Sequence, residues 1–210
     1  MANVYVNVNF YGHGRTELSG LSDERGIMPS RLQLRREYTL KVVGYAGFPG
    51  KPVSIYNYNS VLGPSNEAAA GALATAISGR NGASNPIYLI TGYSAGGTTA
   101  LYFARAIAKI SNTEIGYIGL ADAAFYTGES ADLMTNPGVT AKYPKNYFQT
   151  KGNAPDVSEI HGPVTGFTNF DLNQQVTATS IADQHEQAVI KGNFNMNNDV
   201  IWCLGNYQRQ

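Results

Sequence analysis

One segment limits the folds open to this 210-residue chain more than any other. The short apolar and β-branched run Ile87-Tyr88-Leu89-Ile90-Thr91 passes directly into Gly92-Tyr93-Ser94-Ala95-Gly96-Gly97, and residues 98–110 then show few polar positions. A strand that turns within a few small residues into a helix is the repeating step of a parallel α/β sheet. The same alternation surrounds it. Val4, Val6, Val8 and Phe10 alternate with polar residues, the period of a strand, and end at Tyr11-Gly12-His13-Gly14. Residues 53–58 read as a second strand, and the Ala-rich stretch 66–77 as a helix with Ser65 as N-cap and Gly79 closing it. Residues 115–120 make a further strand, with Asp122 at its C-terminal end. The expectation is an α/β protein with a doubly wound, mostly parallel sheet flanked by helices. No repeat, low-complexity tract or linker divides the chain, so a single domain over residues 1–210 is expected.

Other stretches are less periodic. Residues 31–41 suggest a helix, after which Gly44, Gly47, Pro49 and Gly50 impose irregular backbone. Residues 126–145 contain Gly and Pro and read as a loop or cap. Residues 146–149 and 164–170 suggest short strands, and 186–190 a helical segment. Residues 199–204 suggest a terminal helix with Asp199 as N-cap, although Val200-Ile201-Trp202 would also suit a strand.

Ser94 stands at the apex of the Gly-rich turn, in the pattern Gly92-x-Ser94-x-Gly96. A hydroxyl that projects from so tight a strand-to-helix turn sits on strained backbone, and no side chain can crowd it two residues to either side. Glycine meets both needs. The helix that follows directs its N-terminal amides at the apex, where the amide of Ala95 can stabilise a developing oxyanion. The pattern is short, and its weight comes from the strand before it and the helix after it. The same glycines do not form a phosphate loop, because no Lys follows the last of them and the Gly-x-Gly-x-x-Gly spacing is missing.

The turn Gly92-Tyr93-Ser94-Ala95-Gly96-Gly97 resembles the nucleophile elbow of the α/β-hydrolase superfamily, with its lipase, esterase and thioesterase branches. The resemblance covers residues 4–14 and 53–122 well and the remainder loosely, and it implies a compact α/β-hydrolase fold. It also implies that Phe10-Tyr11-Gly12-His13-Gly14 opens an oxyanion loop, with an amide near Gly14 or Arg15 as the second donor and His13 ordering that loop. The superfamily's chain order of serine, acid and histidine leaves His161 and His185 as candidate bases. His185 has the station that the resemblance assigns to the base, a late loop leading into the last helix, and His161 is expected to shape the cleft. Asp122 is the favoured acid because it ends a well-defined strand at the sheet edge where α/β sites lie. Asp156 is its rival, after the next strand, and Asp132, Asp171 and Asp183 also follow the serine. The expected chemistry is hydrolysis of a carboxylic ester through an acyl-enzyme on Ser94. A thioesterase or acyltransferase on the same residues is the near alternative, and a non-catalytic hydrolase-like binding protein the distant one.

Composition narrows the partners. Lys+Arg and Asp+Glu both number 15, and no basic stripe appears, so nucleic acid is not an expected partner. A small-molecule ester or acyl compound is. Cys203 is the only cysteine, which removes disulfide frameworks and Cys-rich metal sites, and the three histidines lie too far apart in sequence to suggest a zinc motif. Neither a cofactor nor a metal is expected. No run approaches the ~18 apolar residues of a membrane span and the first residues lack a signal-peptide pattern, so integral membrane contact is not expected and a soluble cytoplasmic protein is; signal-independent export stays open.

Overall fold

Six strands, paired in parallel throughout, form the main sheet of the computed structural model, which describes residues 4–12, 53–59, 66–81, 85–110, 113–153 and 159–207. In chain order the elements are β1 (Tyr5–Tyr11), β2 (Val53–Asn59), α1 (Asn66–Asn81), β3 (Ile87–Tyr93), α2 (Ala95–Ala108) and β4 (Glu114–Ala121). Then follow β5 (Phe125–Tyr126), α3 (Asp132–Thr135), β6 (Tyr143–Phe148), β7 (Glu159–Ile160), β8 (Thr168–Asp171) and α4 (Ile181–Asn206). The sheet order is β2-β1-β3-β4-β6-β8, and β5 pairs with β7 in a small antiparallel ribbon. The expected helix at 31–41 and the Ser65 cap lie outside the described residues.

Residue period decides which face each strand presents. Val6, Val8 and Phe10 of β1, with Tyr88 and Ile90 of β3 and Ile118 and Leu120 of β4, bury against Ala70, Ala74 and Ile77 of α1 and Leu101, Phe103 and Ile107 of α2. The opposite set, Tyr5, Ile87, Leu89 and Tyr117, packs on Val200, Cys203 and Leu204 of α4. Helices thus cover both faces and the sheet is doubly wound. The alternation in β1 does not mark a wet face, because Asn7 and Asn9 are buried. A chain of hydrogen bonds makes their burial tolerable. Asn7 donates to the Leu89 carbonyl (2.9 Å), Asn9 to Asn7 Oδ1 (2.9 Å) and Thr91 to Asn9 Oδ1 (2.5 Å).

The two helical pieces expected at 186–190 and 199–204 are one helix of 26 residues, α4. Its cap is Ser180, whose hydroxyl accepts from the Asp183 amide, and Asp199 is not a cap but lies deep inside the helix. Gly192 and several asparagines are poor helix formers, yet Ala188, Gly192, Met196, Val200 and Cys203 form a buried stripe that holds the helix on the sheet. Likewise α1 does not stop at Gly79 but runs to Asn81.

Asp199 reaches into the sheet from that stripe. Its Oδ2 accepts from Tyr117 (2.9 Å) and Tyr147 (2.6 Å), and its Oδ1 pairs with Lys145 Nζ (2.5 Å). Burial, reinforced by this carboxylate, holds both phenols well above the usual tyrosine range. Asp199→Ala leaves two phenols and an ammonium without their common acceptor, so a loss of about 3 kcal/mol in urea unfolding is expected. A loss below about 1 kcal/mol would show that these bonds contribute little to holding α4.

The order of connections locates the cleft. The chain leaves β1 for β2 on one side and returns to β3 on the other, so the crossovers diverge between β1 and β3. Beyond the carboxyl ends of two such strands, α/β sheets leave a crevice. Gly12 and Ser94 are the residues at its lip, immediately after β1 and β3. No helix among the described residues is long and apolar enough to cross a membrane.

Candidate active site

Ser94 occupies the single residue between β3 and α2, with φ 53° and ψ −136°. L-residues rarely adopt positive φ, and holding one there costs about 1–3 kcal/mol. The surroundings hold it. The Ser94 amide donates to the Ala121 carbonyl (3.1 Å), and the Ser94 carbonyl accepts from Gly97 (2.9 Å) and Ala124 (3.0 Å). Thr98 adds a hydroxyl hydrogen bond to the Ala124 carbonyl. The elbow is therefore clipped to the corner that follows β4.

Both flanking glycines are required by space. A Cβ on Gly92 would run into the Gly96 carbonyl, and one on Gly96 into the carbonyls of Phe10 and Tyr11. A Cβ on Gly12 would come within 2.8 Å of Ser94 Cβ, so the ends of β1 and β3 meet at the serine. Ala95 opens α2, and the first amides of a helix have no partner within it. Gly14, His13 and Arg15 lie outside the described residues.

Asp122 stands at the corner clipped to Ser94, fully buried and with φ 45°. Its amide donates to the Tyr147 carbonyl (2.6 Å). Gln149 donates twice to the carboxylate, from its amide to Oδ1 (3.1 Å) and from Nε2 to Oδ2 (3.1 Å). His185 Nδ1 lies 2.6 Å from Oδ2. A fully buried carboxyl group needs such partners to offset its desolvation. His185 is not in a loop before a helix but is the fifth residue of α4, because the Ser180 cap starts the helix earlier than composition suggests. Its ring is about a quarter exposed, on the stripe that carries Ala188 and Gly192 onto the sheet.

The second histidine is there too. His161 follows β7 and is 5% exposed, with Nδ1 3.4 Å from Asp122 Oδ1 and Nε2 3.1 Å from Glu159 Oε1. Its ring centroid is 5.0 Å from that of His185. Asn153 fixes the backbone on both sides, accepting from the His161 amide (2.8 Å) and donating to the His161 carbonyl (2.7 Å). Burial favours the neutral His161 ring, but the Glu159 hydrogen bond and the charges of Asp122 and Glu159 outweigh it and raise its pKa. The hydrogen bond from His161 in turn holds the Glu159 carboxyl below its ordinary value.

Sequence separation misjudged the histidines, since Asp122, His161 and His185 offer three ligand-type atoms within 4.8 Å of one another. The 2.6 Å contact of His185 with Asp122 is closer than two ligands of one tetrahedral ion approach, about 3.3 Å for bonds near 2.0 Å. As it stands, Asp122 and His185 are a hydrogen-bonded pair, and His161 Nδ1, beside them, makes no hydrogen bond.

Of the expected site residues, the structure brings together Asp122 and His185, and it ties the Ser94 backbone to both sides of Asp122. Among the described residues the Ser94 hydroxyl makes no hydrogen bond to His185. Asp156 lies outside the described residues. The other acids have local partners instead. Asp171 caps the Asn173 amide (2.7 Å), Asp183 pairs with the Ser180 hydroxyl (2.6 Å), and Asp132 opens α3. Gln149 and Glu159 have no signal in the sequence that marks them for this cluster.

No family model matches the chain, and no curated protein does. Among solved structures it is similar to a novel cutinase-like protein from Cryptococcus sp., at 12% identity and a TM-score of 0.43 over 94% of each chain. At that distance nothing about reaction or substrate passes from one protein to the other.

Proposed function

We propose that the protein is a serine hydrolase that cleaves a carboxylic ester through an acyl-enzyme on Ser94, with His185 as base and Asp122 as acid. The observation that carries this reading is the 2.6 Å contact of His185 Nδ1 with buried Asp122, at the corner hydrogen-bonded to the strained Ser94 turn. With Nδ1 engaged by the acid, Nε2 is the nitrogen left to take a proton from the serine. Such a base and a strained, glycine-flanked serine are a costly combination in a molecule that does no chemistry.

The steps follow from these roles. Ser94 Oγ attacks the ester carbonyl as its proton passes to His185 Nε2. Asp122 keeps the imidazole in one tautomer and offsets the charge it acquires, and Gln149 keeps Asp122 from turning. The Ala95 amide receives the oxyanion. His185 returns the proton to the leaving alkoxide. Water, deprotonated by the same nitrogen, then releases the acid and restores the serine.

The test is reaction of the purified protein with a fluorophosphonate, read by intact mass and peptide mapping, alongside turnover of short p-nitrophenyl esters. One adduct per chain on the peptide that contains Ser94, with ester turnover, is the expected result. A folded protein that takes up no probe and turns over no ester would overturn the reading. Matched oxygen and thioesters of one acid then distinguish an esterase from a thioesterase.

A further inference from the structure

His161 is a buried ring engaged on one side only. Its Nε2 meets Glu159 Oε1 at 3.1 Å, while Nδ1, also buried, has no hydrogen-bond partner. With Nε2 donating to Glu159, the neutral ring turns the lone pair of Nδ1 toward Asp122 Oδ1, 3.4 Å away. Two electron-rich atoms then face each other with no hydrogen between them, at nearly the ~3.3 Å that separates two ligands of one tetrahedral ion. A cation set between them would satisfy both. The surroundings are those of metal ligands. A histidine that binds a metal usually gives its other N–H to a carboxylate, as His161 does to Glu159, and a ligating carboxylate is itself hydrogen-bonded, as Asp122 is by Gln149. A third donor is at hand in His185 Nδ1, 2.6 Å from Asp122 Oδ2.

We propose that Asp122, His161 and His185 bind a zinc-type divalent cation, and that the ion takes the place of the direct contact between His185 and Asp122. Asp122 Oδ1 and His161 Nδ1 already stand at ligand spacing. His185, about a quarter exposed, completes the set by drawing back from Asp122 by about 0.7 Å. Two imidazoles and one carboxylate suit zinc and not magnesium or calcium, which take oxygen ligands. Three protein ligands leave a fourth position for water. On His185 the ion uses the Nδ1 lone pair, so the ring proton moves through water from Nδ1 to Nε2. The nitrogen assigned to take the serine proton is then already occupied. Metal-bound and catalytic states therefore exclude each other, a consequence that rests on the hydrolase reading, whereas the binding itself does not.

The test titrates Zn²⁺ into the intact, chelator-stripped chain at about pH 8, above the ordinary histidine range, because the ion competes with protons for Nδ1. Calorimetry should show one ion per chain, bound at least about 100-fold more weakly by His161→Gln and about tenfold more weakly by Glu159→Gln. The chain has three histidines, so long-range ¹H–¹⁵N spectra can be assigned with His161→Gln and His185→Gln. One equivalent of Zn²⁺ should displace the Nδ1 resonances of both His161 and His185. Absence of saturable binding overturns the proposal, as does binding that both variants leave unchanged or that displaces His13 alone. If His161→Gln does not fold, Glu159→Gln and the spectra decide. Fluorophosphonate labelling reads the consequence. Zn²⁺ should arrest labelling of the wild type and a chelator restore it, while His161→Gln, measured against its own zinc-free rate, should need about 100-fold more Zn²⁺. Full-rate labelling of the zinc-saturated wild type overturns the exclusion. If the zinc-free wild type takes up no probe, the hydrolase reading has failed, and calorimetry and the spectra alone judge the site.

Discussion

Ser94→Ala is expected to abolish fluorophosphonate labelling and to lower ester turnover by at least about four orders of magnitude. The alanine lacks the nucleophile while the backbone trap around it stays closed, for the bonds from Ala121, Gly97 and Ala124 all involve main-chain atoms. Alanine is as unwelcome at φ 53° as serine, so urea unfolding of this variant should be unchanged within about 0.5 kcal/mol. Glycine separates the two effects. Ser94→Gly should be equally inactive yet more stable by about 1 kcal/mol, since relief of the strain exceeds the entropy glycine adds to the unfolded chain. Wild-type labelling in Ser94→Ala would remove Ser94 from the mechanism. A Ser94→Gly variant no more stable than the parent would mean that the turn holds no strain.

The second large effect is expected at Asp122. Asp122→Asn nearly preserves shape but puts an NH₂ where one carboxylate oxygen was. Oδ2 accepts from both His185 Nδ1 and Gln149 Nε2, while Oδ1 accepts from the Gln149 amide. An asparagine that satisfies the Gln149 amide with its oxygen directs its NH₂ at His185. The imidazole must then accept at Nδ1, which leaves the N–H on Nε2, facing the serine in the wrong tautomer. Turnover should fall by about four orders of magnitude. A loss of stability of about 2 kcal/mol should accompany it, from the mismatch with Gln149 Nε2 and the loss of the charge opposite His161. Near-normal turnover would pass the role of acid to another residue, with Asp156 first in line.

The tight strand-to-helix turn at Ser94 was legible in the sequence because what shapes it is local. Gly92 and Gly96 are demanded by carbonyls within a few residues or on the adjoining strand, and their spacing from Ser94 is written in one stretch of chain. The place of Asp122 at a strand end was legible for a similar reason, as the first polar residue after an apolar run that reads as a strand. His185 was read as lying just before a short helix near the end of the chain, and that helix was misread. The segment 181–206 has too many weak helix formers for propensity to join it, and burial against the sheet overrides them. Gln149 and Glu159 stand in stretches of no regular period that nothing in the sequence marks, so only the fold shows that they belong beside Asp122 and His161.

One feature of the sheet's second face bears on how the His185 ring is set. His185 and Asp199 belong to the same unbroken helix, fourteen residues apart, or about 21 Å of rigid rod. Near its middle the rod rests on the sheet at Gly192, where a side chain would collide with Ala121, the residue before Asp122. It is a lever with a close bearing, moored at its far end by two phenols and an ammonium. A change at the mooring that tilts the lever would shift the imidazole against a carboxylate that is itself fixed to the sheet. The setting of the His185 ring thus involves Tyr117, Lys145 and Tyr147, through the helix, as well as its direct contact with Asp122.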